Sequence, residues 1–587
     1  MTDGWVSCIL ICGFGSRQAD NRGRSPFPRH KFPAKMYVQK AYGFSEERPY
    51  AILLFCRGFA YPRDERGSNA MKKIISVLAL LTMLLSFSAC ASAVDEPAAE
   101  EPVTLVYGSG DYTRINPAMD EHGEINILIF NGLTAHDGEN RVVPGLARDW
   151  FFDEATYTYT FYLEENVTWH DGEPFTAEDV KFTIEAIMDP ENGSENAPNY
   201  EDVAEITAVD DYTVSFRLNV PNAAFLDYMT MAVLPRHLLE GEDMQESDFF
   251  RHPIGTGPYR LESWDEGQAI TLVKNEDYFK GCAKIDRIIF KIVTDDNAKA
   301  LQMRSGELDL ALLTPRDAEN FAGNDGYVVY RMMTSDYRGI LFNFRNEYWT
   351  ENRDIIPAVC YALNRQAILD AVVLGHGVVA YGPLQRNIYN NEDVEQYAYN
   401  PEMARRILED AGCVMGSNGF YERGGKEIGF ILSVGAGDQV RLDMAQAAAQ
   451  QLREAGINCT VEVPTVVDWG GQMAYLIGWG SPFDADDHTY KVFGTGKGAN
   501  YSGYSNAEVD RYLTEARQSG DPAVRAEAYD KFQAALARDP AFAFLCYVDA
   551  DYVASANIRG IDPDTVMGHH GVGIFWNAAE WTIGSGD

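Results

Sequence analysis

One short stretch, Asp484-Ala485-Asp486-Asp487-His488, places three carboxylates and an imidazole within five residues. Such a cluster can hold a divalent metal and, given a base and an open coordination position, support hydrolysis. Its spacing matches neither a zinc-binding HExxH helix nor a calcium loop. No Gly-x-Ser-x-Gly elbow or Cys–His nucleophile pattern stands out elsewhere. A metal-dependent hydrolase is therefore a remote alternative, and the plain expectation is that Asp486 and Asp487 cap a helix or face solvent. Three further imidazoles invite attention: His122 in Asp120-Glu121-His122-Gly123, and the pair His569-His570 between Gly568 and Gly571. Glycine on both sides gives that pair the mobility to reach a ligand. Trp479, between Gly478 and Gly480, offers an aromatic face for stacking.

These groups need a frame, and the composition says what kind. The chain has 587 residues, 46% hydrophobic and 23% charged, which suits several globular domains with a ligand site between them. With 49 Lys+Arg against 87 Asp+Glu the net charge is -38, so a phosphate-tracking surface, and with it nucleic acid as a partner, is excluded. The first 70 residues differ, holding eleven Lys/Arg and six Asp/Glu and showing no sustained helical or strand period. From Met71, the lysines Lys72 and Lys73 are followed by an apolar run, Ile74 to Phe87, then Ser88 and Ala89 before Cys90. This is the order of a secretory signal, too short to span a bilayer as a helix. It makes residues 1–70 a doubtful extension and Met71 an alternative start. The cysteine after the small residues resembles the lipoprotein signal, in which Cys90 becomes the lipid-bearing first residue, and 90–103 reads as a flexible acidic tether. The expected location is extracytoplasmic, anchored to the cell membrane. Cys282, Cys360, Cys413, Cys459 and Cys546 are widely spaced, which signals neither a disulfide framework nor a zinc finger.

Beyond the tether the elements change in texture. Tyr157 to Leu163 alternates β-branched and aromatic residues, as a strand does. Thr176-Ala-Glu-Asp179 forms a capping-box pattern ahead of Val180, Ile184 and Ile187, which predicts a helix to about Met188, stopped by Pro190. From about Pro357 to Tyr547, helices and strands alternate as in an α/β domain. Asn400-Pro401 opens a helix that Gly412 closes. Phe430–Val434, a helix from Gln439 to Ala455 and Ile457–Val463 read as a β-α-β unit with parallel strands.

Ile115-Asn116-Pro117, Val143-Pro-Gly-Leu-Ala-Arg-Asp-Trp150, Trp169-His-Asp-Gly-Glu-Pro-Phe-Thr-Ala-Glu-Asp-Val180, Ile254-Gly-Thr-Gly-Pro-Tyr259 with Lys274-Asn275, Phe342-Asn343 and Tyr504-Ser-Asn506 with Asp510 occur in an order that resembles the extracytoplasmic solute-binding proteins of ABC importers, specifically the peptide/nickel-binding family 5. The resemblance covers about Thr104 to Ile583. It implies an α/β, two-lobed periplasmic-binding-protein-like fold of type II, with a hinge and an interlobe cleft. Lobe I would comprise 104–356, with an extra subdomain at about 140–250, lobe II 357–547, and 548–587 would return to lobe I. It implies no enzyme and no resident cofactor, a monomer, and ABC permease subunits as partners. The shared HDG and GTGPY segments, His170 included, would be scaffold. The ligand would be a short peptide or, alternatively, a nickel or other metal chelate. Peptide-binding members place an aspartate after a Gly-Trp pair to meet the peptide's amino terminus. Here an ungapped count lands on Pro482, with Asp484 two residues on as the substitute anchor and Trp479 as a wall. Under the chelate reading, His569 and His570 contact the metal, with His122 and His488 as further ligand-binding residues and nickel present only as transported cargo.

Overall fold

The computed structural model describes residues 101–120, 123–568 and 573–584. Two large sheets organise them. The first has seven strands in the order Tyr327–Met332, Ala550–Ser555, Leu310–Leu313, Thr104–Ser109, Arg287–Ile292, Ala269–Lys274, Tyr259–Asp265. Thr104–Ser109 runs parallel to both of its neighbours and the other pairs are antiparallel. Strand residues alternate across this sheet, so Ile270, Leu272, Ile288 and Phe290 share a face and are fully buried. The second sheet has six strands in the order Gly377–Val379, Phe542–Val548, Tyr337–Phe342, Ala474–Trp479, Gly429–Ser433, Asn458–Glu462. Its central strands Tyr337–Phe342 and Phe542–Val548 are buried along their whole length, which is why they are nearly continuous apolar runs rather than alternating ones.

The chain passes between the sheets at 333–336 and at Asp549. The apolar cores divide at the same points: Met332 and Ala550 belong to one, Tyr337 and Val548 to the other. This corrects the expected lobe boundary. Lobe II begins at Tyr337 and not at Pro357, because the strand Tyr337–Phe342 pairs with Ala474–Trp479 and Phe542–Val548 of the second sheet. After Phe542–Val548 the chain enters the first sheet again at Ala550–Ser555. The extra subdomain is an antiparallel sheet in the order Ala147–Asp153, Thr158–Leu163, Thr213–Leu218, Val203–Asp210, with helix Ala177–Met188 against it. Its core is continuous with that of the seven-stranded sheet.

The local signals act as their chemistry requires. Asp179 accepts the Thr176 N–H at 2.9 Å and starts Ala177–Met188. Asn400 accepts the Met403 N–H at 2.9 Å and starts Pro401–Asp410, and Gly412 follows at φ 80°. Gly429–Ser433, helix Gln439–Glu454 and Asn458–Glu462 form the expected parallel unit. Tyr157 is not part of its strand: at φ 54° it turns the chain, and the strand starts at Thr158. Cys360, Cys413, Cys459 and Cys546 are buried free thiols and Cys282 is an exposed one. No helix of the described residues is long and apolar enough to cross a membrane.

Candidate functional site

The motif around His170 stands behind one wall of the cleft. His170 Nε2 lies 3.1 Å from the Gly257 carbonyl, and its Nδ1 accepts the Gly255 N–H at 3.1 Å. A carbonyl only accepts, so the proton sits on Nε2 and the ring is neutral. Burial pushes the imidazole down to about 4. The loop it holds presses on the short helix Asn126–Ile129: a Cβ on Gly255 would sit 1.8 Å from the Ile129 carbonyl oxygen, and one on Gly257 would sit 2.4 Å from that of Leu128. The scaffold expected of the HDG and GTGPY segments is thus a pin and a shim behind a helix whose Asn126 and Ile127 face a cavity of about 380 Å³.

Both lobes line that cavity. Lobe I contributes Glu124, Phe130, His136, Asp227 and Tyr228, and lobe II contributes Trp479, Ser481, Phe483, Asp487, His488 and Lys491. Trp479 ends its strand as a wall, with Lys491 Nζ 5.8 Å from its ring centre. The following Gly480 has φ 146°, and a Cβ there would stand 1.8 Å from the Ser335 carbonyl oxygen, so the wall rests directly on a crossing segment between the lobes.

The Asp-rich cluster is rearranged relative to expectation. Asp484 is not offered to the cavity: Arg525 holds it through two charge-assisted bonds of 2.7 and 2.6 Å, and its Oδ1 also accepts the Asp486 N–H at 2.8 Å. Asp486 neither caps the helix nor faces solvent. It is 1% exposed and takes the Tyr228 hydroxyl at 2.6 Å and Arg517 at 2.7 Å. Asp487 pairs with Lys491 at 3.5 Å. Each acid is thus engaged by an organic cation, and no group of His, Cys, Asp and Glu suited to a metal exists among the described residues. His488 is buried on the cavity wall. Its Nε2 meets the Pro383 carbonyl at 3.0 Å, its Nδ1 has no partner, and burial lowers its pKa. Cys90, His122, His569 and His570 lie outside the described residues. The described neighbours Asp120 and Gly123, and likewise Gly568 and Gly573, line the same cavity.

Two features escaped sequence reasoning. One is a set of contacts across the cleft. Arg517 of lobe II bonds Asp202 of lobe I at 2.8 Å while holding Asp486, which in turn accepts from Tyr228. Lys497 meets Glu201 at 2.6 Å, and the rings of Phe483 and His136 stack with centres 3.8 Å apart. The partners lie up to 315 residues apart, so no spacing rule could reveal them. The other is Glu124. It is half-buried and lines the cavity, and burial lifts its carboxyl to about 7. Its position just before a helix suggests nothing beyond a cap.

Residues 141–501 match the family described as bacterial extracellular solute-binding proteins, family 5, middle. The chain is 34% identical over 480 residues to Protein XP55 of Streptomyces lividans, covering 79% of this chain and 86% of that one. Among solved structures, NikZ from Campylobacter jejuni in complex with Ni(L-His) matches with a TM-score of 0.78 at 32% identity, over 82% of this chain and 100% of that one. The oligopeptide-binding protein AppA from Bacillus subtilis, in complex with a nonapeptide, matches with a TM-score of 0.74 at 26% identity, over 83% and 100%.

Proposed function

Because the chain belongs to the family 5 bacterial extracellular solute-binding proteins, which bind substrates for ABC transporters and are not enzymes, we propose that it captures short peptides outside the membrane and hands them to an ABC permease. The observation that carries this reading is the cavity itself: two lobes with separate cores, between which the chain crosses at 333–336 and at Asp549, close over it. Closing the lobes buries a ligand from both sides, and ligand binding then shifts an open–closed equilibrium that a permease can sense. The aromatic walls supply sequence-tolerant contact for peptide side chains. The protein acts as a monomer, tethered through a lipid on Cys90 after removal of the segment from Met71 to Ala89.

A second reading, capture of a nickel chelate as cargo, is favoured by the convergence of Asp120, Gly123, Gly568 and Gly573 on one cavity. These residues flank His122 and the pair His569-His570. Resemblance to the nickel-bound NikZ points the same way.

Native mass spectrometry of the chain from Ala91 onward, purified without denaturant or chelator, separates the two. A spread of adducts with short-peptide masses is the expected result. A single adduct carrying the nickel isotope pattern would replace the peptide reading with the chelate one.

A further inference from the structure

The cavity carries five described carboxylates, and four of them already have a basic side chain as partner. Asp120 pairs with Arg114 at 2.7 Å, Asp137 with Arg141 at 2.7 Å, Asp227 with His136 at 3.0 Å and Asp487 with Lys491 at 3.5 Å. The fifth, Glu124, accepts, among the described residues, only from the Tyr107 hydroxyl, at 2.9 and 2.8 Å to its two oxygens. Among the described residues, the other titratable groups around it are Tyr112 and Tyr552, both held neutral by burial, and Lys299, whose ammonium is 3.8 Å from Asp296. An ionised carboxylate enclosed by protein is costly unless a cation meets it. Lobe II offers no substitute: Pro482 occupies the position where an amine-binding aspartate was expected, and Asp484 is held by Arg525.

We infer that Glu124 is the cation anchor of the cavity, taking the α-ammonium of a bound peptide from the lobe I side. This assignment rests on the peptide reading. It makes the amino terminus, rather than any side chain, the feature common to all ligands, because each of the other described carboxylates of the cavity already has a basic side chain as partner. An ammonium donates up to three hydrogen bonds, so it can engage both Glu124 oxygens while Tyr107 keeps its own bond. The ligand's amino end then lies against the first lobe and its body runs toward Trp479 and Phe483 of the second.

The test uses tri-, tetra- and pentapeptides of alanine, each with a free and with an N-acetylated amino terminus, titrated calorimetrically into the wild-type chain from Ala91 and into Glu124→Gln. Wild type is expected to prefer the free amine by about 30-fold or more, the scale of breaking a buried charged pair. Glu124→Gln, nearly isosteric, should bring the two forms to within about threefold while leaving the affinity for the acetylated peptides unchanged. Retained acetyl-peptide binding also shows that the variant's cleft is intact. If Glu124→Gln keeps the full preference for the free amine, or wild type binds both forms equally, Glu124 is not the anchor although peptides bind. If wild type binds neither form, the peptide reading falls and the anchor falls with it.

Discussion

At the scale of single residues, His170 shows how a histidine shared with a family can be structural and still leave a measurable trace. Its two ring nitrogens do opposite jobs, one donating to Gly257 and one accepting from Gly255, and only the neutral ring can do both. Protonation turns the acceptor into a donor facing another donor. The folded pKa, about 4, lies below the ordinary value of 6.5, so the unfolded chain binds the extra proton first as pH falls. The stabilisation is complete above about 6.5 and is lost as pH drops toward 4, a difference of about 3 kcal/mol for this one group. Gln can accept and donate in the same places without titrating. His170→Gln should therefore lose less stability than wild type between pH 7 and pH 4, read as urea midpoints at each pH. Equal losses in the two proteins would mean that the ring is not held neutral.

At the scale of elements, the loop after the strand Ala474–Trp479 ties the cavity wall to the segment joining the lobes. Gly480 sits at φ 146° with the Ser335 carbonyl oxygen where a side chain would go, so Gly480→Ala combines backbone strain with a backbone clash. We expect a loss of at least about 2 kcal/mol in urea unfolding. Gly172→Ala, at φ 93° with open space around it, is the control and should cost less, about 1 kcal/mol, from backbone conformation alone. Similar losses at the two positions would show that the Ser335 contact is easily relieved. Elements of this kind divide cleanly in how legible they were. The helices Ala177–Met188 and Pro401–Asp410 and the parallel unit from Gly429 to Glu462 could be read directly, because their caps and periods are local. The lobe boundary was misplaced because Tyr337–Phe342 looks like any buried strand, and only its pairing with residues more than 130 positions later assigns it to a lobe. Trp479 and His488 reached the cavity, Asp484 did not, and the difference lies in Arg525, 41 residues on, whose pairing with Asp484 no short motif encodes.

At the scale of the whole molecule, the contacts across the cleft set how strongly the lobes prefer to be together. Asp486 is the centre of that preference: closed, it is buried and holds Tyr228 from lobe I and Arg517 from its own lobe, while one of its oxygens, Oδ1, has no partner. Opening the cleft returns it to water, so the hydrogen bond from Tyr228 is gained only on closure. Tyr228→Phe removes that bond and leaves the packing of the ring, which argues for a loss of about 1.5 to 3 kcal/mol from the closed state, the range for hydrogen bonds to charged groups. An equilibrium moved by that amount changes its ratio by about tenfold or more. The measurement is a pulsed electron–electron distance between spin labels at Val209 on lobe I and Val524 on lobe II, both exposed. Cys282, the exposed thiol, is first replaced by serine, the other described cysteines being buried. In Tyr228→Phe without ligand, the long-distance population should grow at the expense of the short one, and saturating ligand should restore the short one. A distance distribution unchanged by the substitution would place the closing force elsewhere, in the Phe483–His136 stack or the Lys497–Glu201 pair, which the same labels can test in turn.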